Sequence, residues 1–258
     1  MYKIVIDIGN TNIVFGFFLG DELKSSSRVA TERKKSEDEY ALYFTNLLEL
    51  NNIEKEKVSS VIISSVVPSL DEKFKEVVVE SLSMEPLMVS ENYSSIPIKI
   101  NIDNPEQLGS DRLVNSYQVH KDLRSENIII VDFGTATTFD IVLQNGSYEG
   151  GIIAPGIGLS LKALSDAAEK LPEISFARVE KVVGKNTIDA MNSGVYWGYV
   201  YLVKGLIKAI KKEYPNREFK VILTGGLSPL IKKDISEADE VDINLTLRGL
   251  NSILKLNM

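Results

Sequence analysis

The segment Asp7-Ile8-Gly9-Asn10-Thr11-Asn12 returns as Asp132-Phe133-Gly134-Thr135-Ala136-Thr137, displaced by 125 positions in a chain of 258. That displacement is close to half the length, and each copy joins a first strand to a second. Around the first copy, residues 3–7, 13–19 and 23–30 read as a three-stranded meander with a Gly20-Asp21 turn. Residues 37–51 then carry apolar side chains at Tyr40, Leu42, Phe44, Leu47 and Leu48, a spacing that predicts an amphipathic helix. A β-branched run at 58–64 reads as a buried strand, 69–82 as a helix opened by Pro68-Ser69, and 87–89 as a short strand. The order repeats: strands at 127–132, 137–143 and 147–153 around a Gln144-Asn145-Gly146 turn, helices at 159–171 and 189–214, and a strand at 219–224 ending in Gly225-Gly226. Matching elements behind matching turns predict a duplicated α/β chain of two similar domains, 1–118 and 119–258.

Composition narrows the chemistry. A net charge of −7 disfavours a general nucleic-acid or acidic-membrane binder, so an anionic ligand must be held locally. The absence of cysteine excludes disulfides, iron–sulfur clusters and thiolate zinc, and a single histidine, His120, excludes His-rich metal sites. No apolar run approaches the length of a membrane span, and Asp7 interrupts the N-terminal segment where a secretory leader needs apolar residues, so a cytoplasmic protein is expected.

At the first turn a strand ends in Asp7, Gly9 lets backbone approach a ligand closely, and Asn10, Thr11 and Asn12 add amide and hydroxyl donors. Such a turn can cradle phosphate oxygens, with Asp7 holding Mg²⁺ through water; taken alone it is also an ordinary polar turn. Asp132-Phe133-Gly134-Thr135-Ala136-Thr137-Thr138 offers a carboxylate and three hydroxyls. Duplication would face both turns onto one nucleotide cleft, with Gly225-Gly226 leaving room for an adenosine or a close backbone contact. No G-x-x-x-x-G-K-[ST] loop is present, and Gly156-Ile157-Gly158 lacks the context of a dinucleotide loop. In Gly109-Ser110-Asp111-Arg112, Arg112 can fork onto a substrate carboxylate and Asp111 can hydrogen-bond a hydroxyl nucleophile; the bland alternative is an ion pair at a helix start.

The two Asp-x-Gly turns and the late Gly-Gly resemble the nucleotide-binding segments of the actin and sugar-kinase superfamily, whose halves are duplicated ribonuclease-H-like folds. Within it, the first turn, residues 104–112, the segment 132–138 and Gly150-Gly151-Ile152-Ile153-Ala154-Pro155-Gly156 resemble type III pantothenate kinase over nearly the whole chain. The resemblance implies ATP-dependent phosphorylation of pantothenate to 4′-phosphopantothenate, the first step of coenzyme A biosynthesis, by a homodimer. It places ATP on Asp7, Ile8, Gly9, Asn10, Thr11, Asn12, Ile13, Val14 and Thr135. Pantothenate falls on Gly109, Ser110, Asp111, Arg112 and Thr187, with Asp111 as proton acceptor, and K⁺ or NH₄⁺ on Asp132. Without the family, Thr187 reads as an N-cap for a helix from about Ile188.

One departure concerns a tyrosine that many members carry seven residues before Gly109; here the position is Ile102, with Tyr93 well upstream. His120 reads as a surface or packing residue. Tyr196, Trp197, Tyr199 and Tyr201, on a helix with Gly194, Gly198 and Gly205, read as core or dimer packing. Two rival readings are a kinase of the same superfamily with another small substrate and a non-catalytic accessory transcription regulator; three intact carboxylates, Asp7, Asp111 and Asp132, favour catalysis.

Overall fold

A computed structural model describes residues 1–257. The chain divides into two compact units: Met1–Ile98, Asn104–Gln118 and the chain from Leu245 onward form one, Lys99–Asp103 and Val119–Asn244 the other. The expected division at 118/119 puts residues 245 onward with the second half, yet they pack with the first.

In the first unit, β1 (Tyr2–Ile8), β2 (Asn12–Leu19), β3 (Glu22–Ala30), β4 (Val58–Ser65) and β5 (Leu87–Met88) form one sheet in the order β3-β2-β1-β4-β5. The meander is antiparallel, and β4 and β5 add in parallel through helical crossovers. The first crossover helix, α1 (Glu37–Leu50), starts at a capping box: Ser36 Oγ accepts from the Glu39 N–H at 3.2 Å while the Glu39 carboxylate accepts from the Ser36 N–H at 2.9 Å. A 3₁₀ turn at Pro68–Leu70 leads into the second, α2 (Asp71–Leu82), so the predicted helix from 69 begins with a tighter turn. Ile4, Ile6, Phe15, Tyr40, Phe44 and Phe74 fill the space between sheet and helices. Exposed edge strand β3 alternates between open and half-covered residues, while β4 is buried along most of its length.

The second unit repeats this plan. Its strands are β6 (Lys99–Ile100), β7 (Asn127–Phe133), β8 (Ala136–Val142), β9 (Ser147–Pro155), β10 (Phe219–Thr224) and β11 (Glu240–Val241), in the order β11-β10-β7-β8-β9-β6. Without β6, every strand has a counterpart in the first sheet with the same direction relative to its neighbours. The duplication read from the hexapeptides is thus a duplication of topology. Helix α3 (Ser110–Asp122) precedes β7; α4 (Ile157–Ala167) and the 27-residue α5 (Thr187–Glu213) stand between β9 and β10, and α6 (Ser228–Ile231) follows β10. Core residues Val131, Phe139, Tyr196, Val200, Val203 and Leu223 join the sheet to α5.

Strands β6 and β11 and helix α7 were not among the elements expected from the sequence. Strand β6 is two residues long, too short to show alternation. Helix α7 (Leu245–Leu256) follows β11 in the chain but packs on β1 and β4 of the first sheet. Its Thr246 hydroxyl donates to Asn115 Oδ1 of α3 at 2.8 Å, and Lys255 pairs with Asp21.

His120 lies inside α3. Its ring rests against the 144–146 turn, where a Cβ on Gly146 would come within 2.8 Å of Nε2. Burial, then the charge of Arg124, pushes its pKa down, as expected of a packing residue.

Candidate active site

The two turns differ in length by one residue. Asp7 pairs with Val14 across the first hairpin, whereas Asp132 pairs with Thr138 across the second. The match at a displacement of 125 therefore holds for the aspartates and the glycines, and slips by one on the following strands. The first turn closes with the Gly9 N–H donating to the Asn12 carbonyl at 3.0 Å, and the second with the Gly134 N–H donating to that of Ala136 at 3.0 Å.

In the first unit Asp7, half-buried at the end of β1, lies beside Ser64 of β4. Asn10 and Thr11 are exposed at the tip. Ile8 and Ile13 are fully buried in the core, so anything these two candidate residues offer a nucleotide comes from backbone. The residues just beyond β3 brace the turn. Thr31 donates through its N–H to the Thr11 carbonyl at 3.0 Å and through Oγ1 to the Gly9 carbonyl at 2.7 Å, and Arg33 Nη2 donates to Asn10 Oδ1 at 2.8 Å. Sequence reasoning missed Thr31 and Arg33, because a braced turn needs partners some twenty residues away.

The same unit brings Gly109–Arg112 to the neighbouring strand end. Ser110 Oγ, buried, donates to the Ser65 carbonyl at 2.8 Å and lies 2.9 Å from Ser64 Oγ. Ser64 is the parallel partner of Asp7, so one serine hydroxyl ties the start of α3 to the strand beside the phosphate-type turn. The Asp111 carboxylate folds back over Gly109: a Cβ on that glycine would meet Oδ1 at 2.6 Å. The Arg112 N–H donates to the same Oδ1 at 2.8 Å. Burial pushes the Asp111 pKa up; that hydrogen bond and the Arg112 charge pull it back only in part. A carboxyl so raised is a stronger base than a free aspartate.

Tyr93 reaches the same segment, its hydroxyl donating to the Leu108 carbonyl. Burial first, and the charge of Asp111 second, push its pKa up to about 12, so the phenol stays a donor. Ile102, at the position of the common family tyrosine, lies beside Gly150 in the second unit.

We expect Ser110→Ala to cost roughly 1–3 kcal/mol of stability by leaving the buried Ser64 hydroxyl without this partner. If residues 109–112 hold a substrate, it should also weaken that binding, since α3 loses its tie to β4. Denaturation and steady-state kinetics on the variant measure both.

In the second unit Asp132, next to last in β7, lies between Thr138 on β8 and Thr224 on β10. Thr135 is exposed at the tip, and the Gly156 N–H donates to its carbonyl at 3.1 Å. Thr137 is fully buried, facing away from Thr138 by strand alternation, so the turn offers two accessible hydroxyls rather than three. Gly225 closes over the site at φ +85°, and a Cβ there would lie 2.6 Å from both Asp132 Oδ1 and the Phe133 carbonyl. Thr187 is exposed at the first position of α5; the cap is Asn186, whose Oδ1 accepts from the Asp189 N–H at 2.9 Å. Capping therefore does not account for Thr187.

The family model for type III pantothenate kinase matches residues 3–209. The chain belongs to the type III pantothenate kinase family. It is 42% identical over 254 residues, 98% of its own length and 97% of the relative's, to a type III pantothenate kinase of Paramagnetospirillum magneticum. It is also 42% identical over 255 residues, covering 99% and 95%, to one of Acidiphilium cryptum. Among solved structures, a Baf family protein of Campylobacter jejuni matches with a TM-score of 0.61 at 23% identity, covering 98% of each chain. Component A of the (R)-2-hydroxyglutaryl-CoA dehydratase of Acidaminococcus fermentans matches with a TM-score of 0.55 at 13% identity, covering 100% of each. These structural likenesses carry the fold: two units of the ribonuclease-H-like, actin-like ATPase type.

Proposed function

We propose that in this chain the family's reaction, transfer of the γ-phosphoryl of ATP to the primary hydroxyl of pantothenate, is carried by Asp111 as proton acceptor. The observation that carries the assignment is the Ser110 tie, which places the raised Asp111 carboxyl and Arg112 in the same unit as the Asp7 turn. Arg112 pairs with the carboxylate of pantothenate, and Asp111 orients the hydroxyl and takes its proton late, as a loose phosphoryl-transfer transition state allows. Residues 7–14 and Thr135 receive ATP, and Thr187 adds a hydroxyl for pantothenate. The product is 4′-phosphopantothenate, the first intermediate on the way to coenzyme A.

Among the described residues no group of three or more His, Cys, Asp or Glu side chains gathers to hold a metal. That suits an ion held mostly by nucleotide oxygens and water, with Asp7 as the single protein carboxylate. Asp132 Oδ1 and the Phe133 carbonyl crowd against Gly225 at the end of β7, and oxygens of this kind suit a monovalent cation such as K⁺ or NH₄⁺ held beside them. Bound there, the ions supply positive charge against the phosphates.

The homodimer draws support from α5. Gly194, Gly198, Tyr201 and Gly205 recur at helical spacing on its exposed side, and a Cβ on each of those glycines would meet nothing within 4 Å. Nearby in sequence, Val182, Val183 and Ile188 are exposed as well. An apolar, small-residue face of this kind suits a second copy of the chain. Among the described residues no helix is long and apolar enough to cross a membrane.

Purified protein with Mg²⁺, K⁺, ATP and pantothenate is expected to release ADP and phosphopantothenate. Replacing K⁺ by Na⁺ at constant ionic strength is expected to lower kcat/KM for ATP at least several-fold; an unchanged value would remove the monovalent-cation role of Asp132. Pantothenate-independent ATP consumption, or consumption with another hydroxy acid only, would favour a different kinase.

A further inference from the structure

The first turn carries no lysine or arginine of its own, and the chain as a whole is acidic. Arg33 brings a guanidinium to it from outside, donating from Nη2 to Asn10 Oδ1 at 2.8 Å. Among the described residues Asn10 is the partner of that guanidinium, and no carboxylate neutralises it. The two residues that precede Arg33 are both fixed. Thr31 is bonded to the Gly9 and Thr11 carbonyls, and Glu32 is held through its N–H and its carbonyl by the buried Tyr40 hydroxyl, each at 2.9 Å. An exposed arginine on so anchored a stretch loses less freedom on binding an anion than one on a mobile loop. Its planar fork also leaves donors beyond the one spent on Asn10.

We propose that Arg33 is a phosphate-binding residue of the first turn, with Asn10 holding its guanidinium toward the polyphosphate of the nucleotide. The inference rests on the reading that residues 9–12 receive those phosphates. Arg33 then fills the role that a P-loop lysine plays elsewhere, from a crossover segment rather than from the loop itself.

The test is calorimetric binding of ATP, ADP and AMP, in Mg²⁺ and without pantothenate, to the unaltered protein, Arg33→Gln and Arg33→Lys. Arg33→Gln is expected to weaken ATP about tenfold or more, the value of a charge-assisted contact. ADP should weaken less and AMP least, with a shallower salt dependence of ATP binding and an unchanged melting temperature. Arg33→Lys, which keeps the charge and loses the fork, should fall between. An unchanged ATP affinity in Arg33→Gln overturns the proposal, as does an equal loss for all three nucleotides, which marks a merely structural brace. Asp7→Asn separates the two layers. If it weakens Mg²⁺-ATP while Arg33→Gln does not, only the arginine is wrong; if neither variant moves ATP, the reading of the turn fails as well.

Discussion

Asp111→Asn is expected to abolish nearly all turnover and at the same time to raise the melting temperature at neutral pH. The first effect follows if Asp111 is the proton acceptor proposed above, a role that contributes on the order of 10²–10⁴ in rate. The second follows from the direction of its pKa shift. In the folded chain burial raises the carboxyl above its ordinary value, so folding favours the protonated form and the ionised form costs stability. That cost is absent below the unfolded pKa and grows as pH rises through the folded one. The gain of the asparagine variant should therefore grow as the pH is raised and shrink as the pH is lowered toward 4. The amide oxygen still accepts the Arg112 N–H, so the start of α3 keeps its cap-like bond. Thermal melts of both proteins from pH 4 to 8, with single-turnover rates, test the pair of effects; a variant both inactive and less stable at pH 7 would contradict the desolvation argument. In the unaltered enzyme kcat/KM should fall on the acid side with an apparent pKa above that of a free aspartate.

Gly225→Ala is expected to be strongly damaging in the second unit. Its φ of +85° is a conformation that alanine adopts only with strain, and the new Cβ would press on Asp132 Oδ1 and the Phe133 carbonyl, both 2.6 Å away. Strain and overpacking together cost about 3 kcal/mol, or roughly 6–12 °C in a chain of this size. The carboxylate can move and the carbonyl, part of β7, cannot, so relief comes by displacing Asp132. Potassium activation should then be lost beyond what the stability change explains. Melting temperature and the K⁺ concentration giving half-maximal activity are the measurements. A folded variant with normal K⁺ dependence would show that Asp132 does not hold the cation.

Much of the molecule was legible before any coordinates. Most strand and helix assignments differ from the structure by two residues or fewer, because strands such as 127–133 and 219–224 are apolar runs bounded by glycine turns, and α1 carries its capping box in the sequence. The Asp-x-Gly turns were legible for the same reason: an aspartate ending a buried strand followed by glycine is a local pattern. What stayed hidden has partners far along the chain. Thr31 and Arg33 acquire a role only when β3 folds back beside the first turn. Ser110 acquires one only when β4 stands next to β1. Tyr93 matters through a carbonyl 15 positions away.

By itself the sequence determined a duplicated α/β chain with no thiol chemistry, two Asp-x-Gly turns and a Gly-x-Asp-Arg segment. These are properties of composition and of neighbours in the chain, which period, turn chemistry and charge set directly. Four features emerge only on folding: the two hairpins differ by one residue, Thr137 is lost to the core, α7 returns to the first sheet, and Asp111 sits tied beside the Asp7 strand. Each of those depends on which strands pair and in what register. Register is settled by packing across the whole sheet, and no local window of sequence contains it.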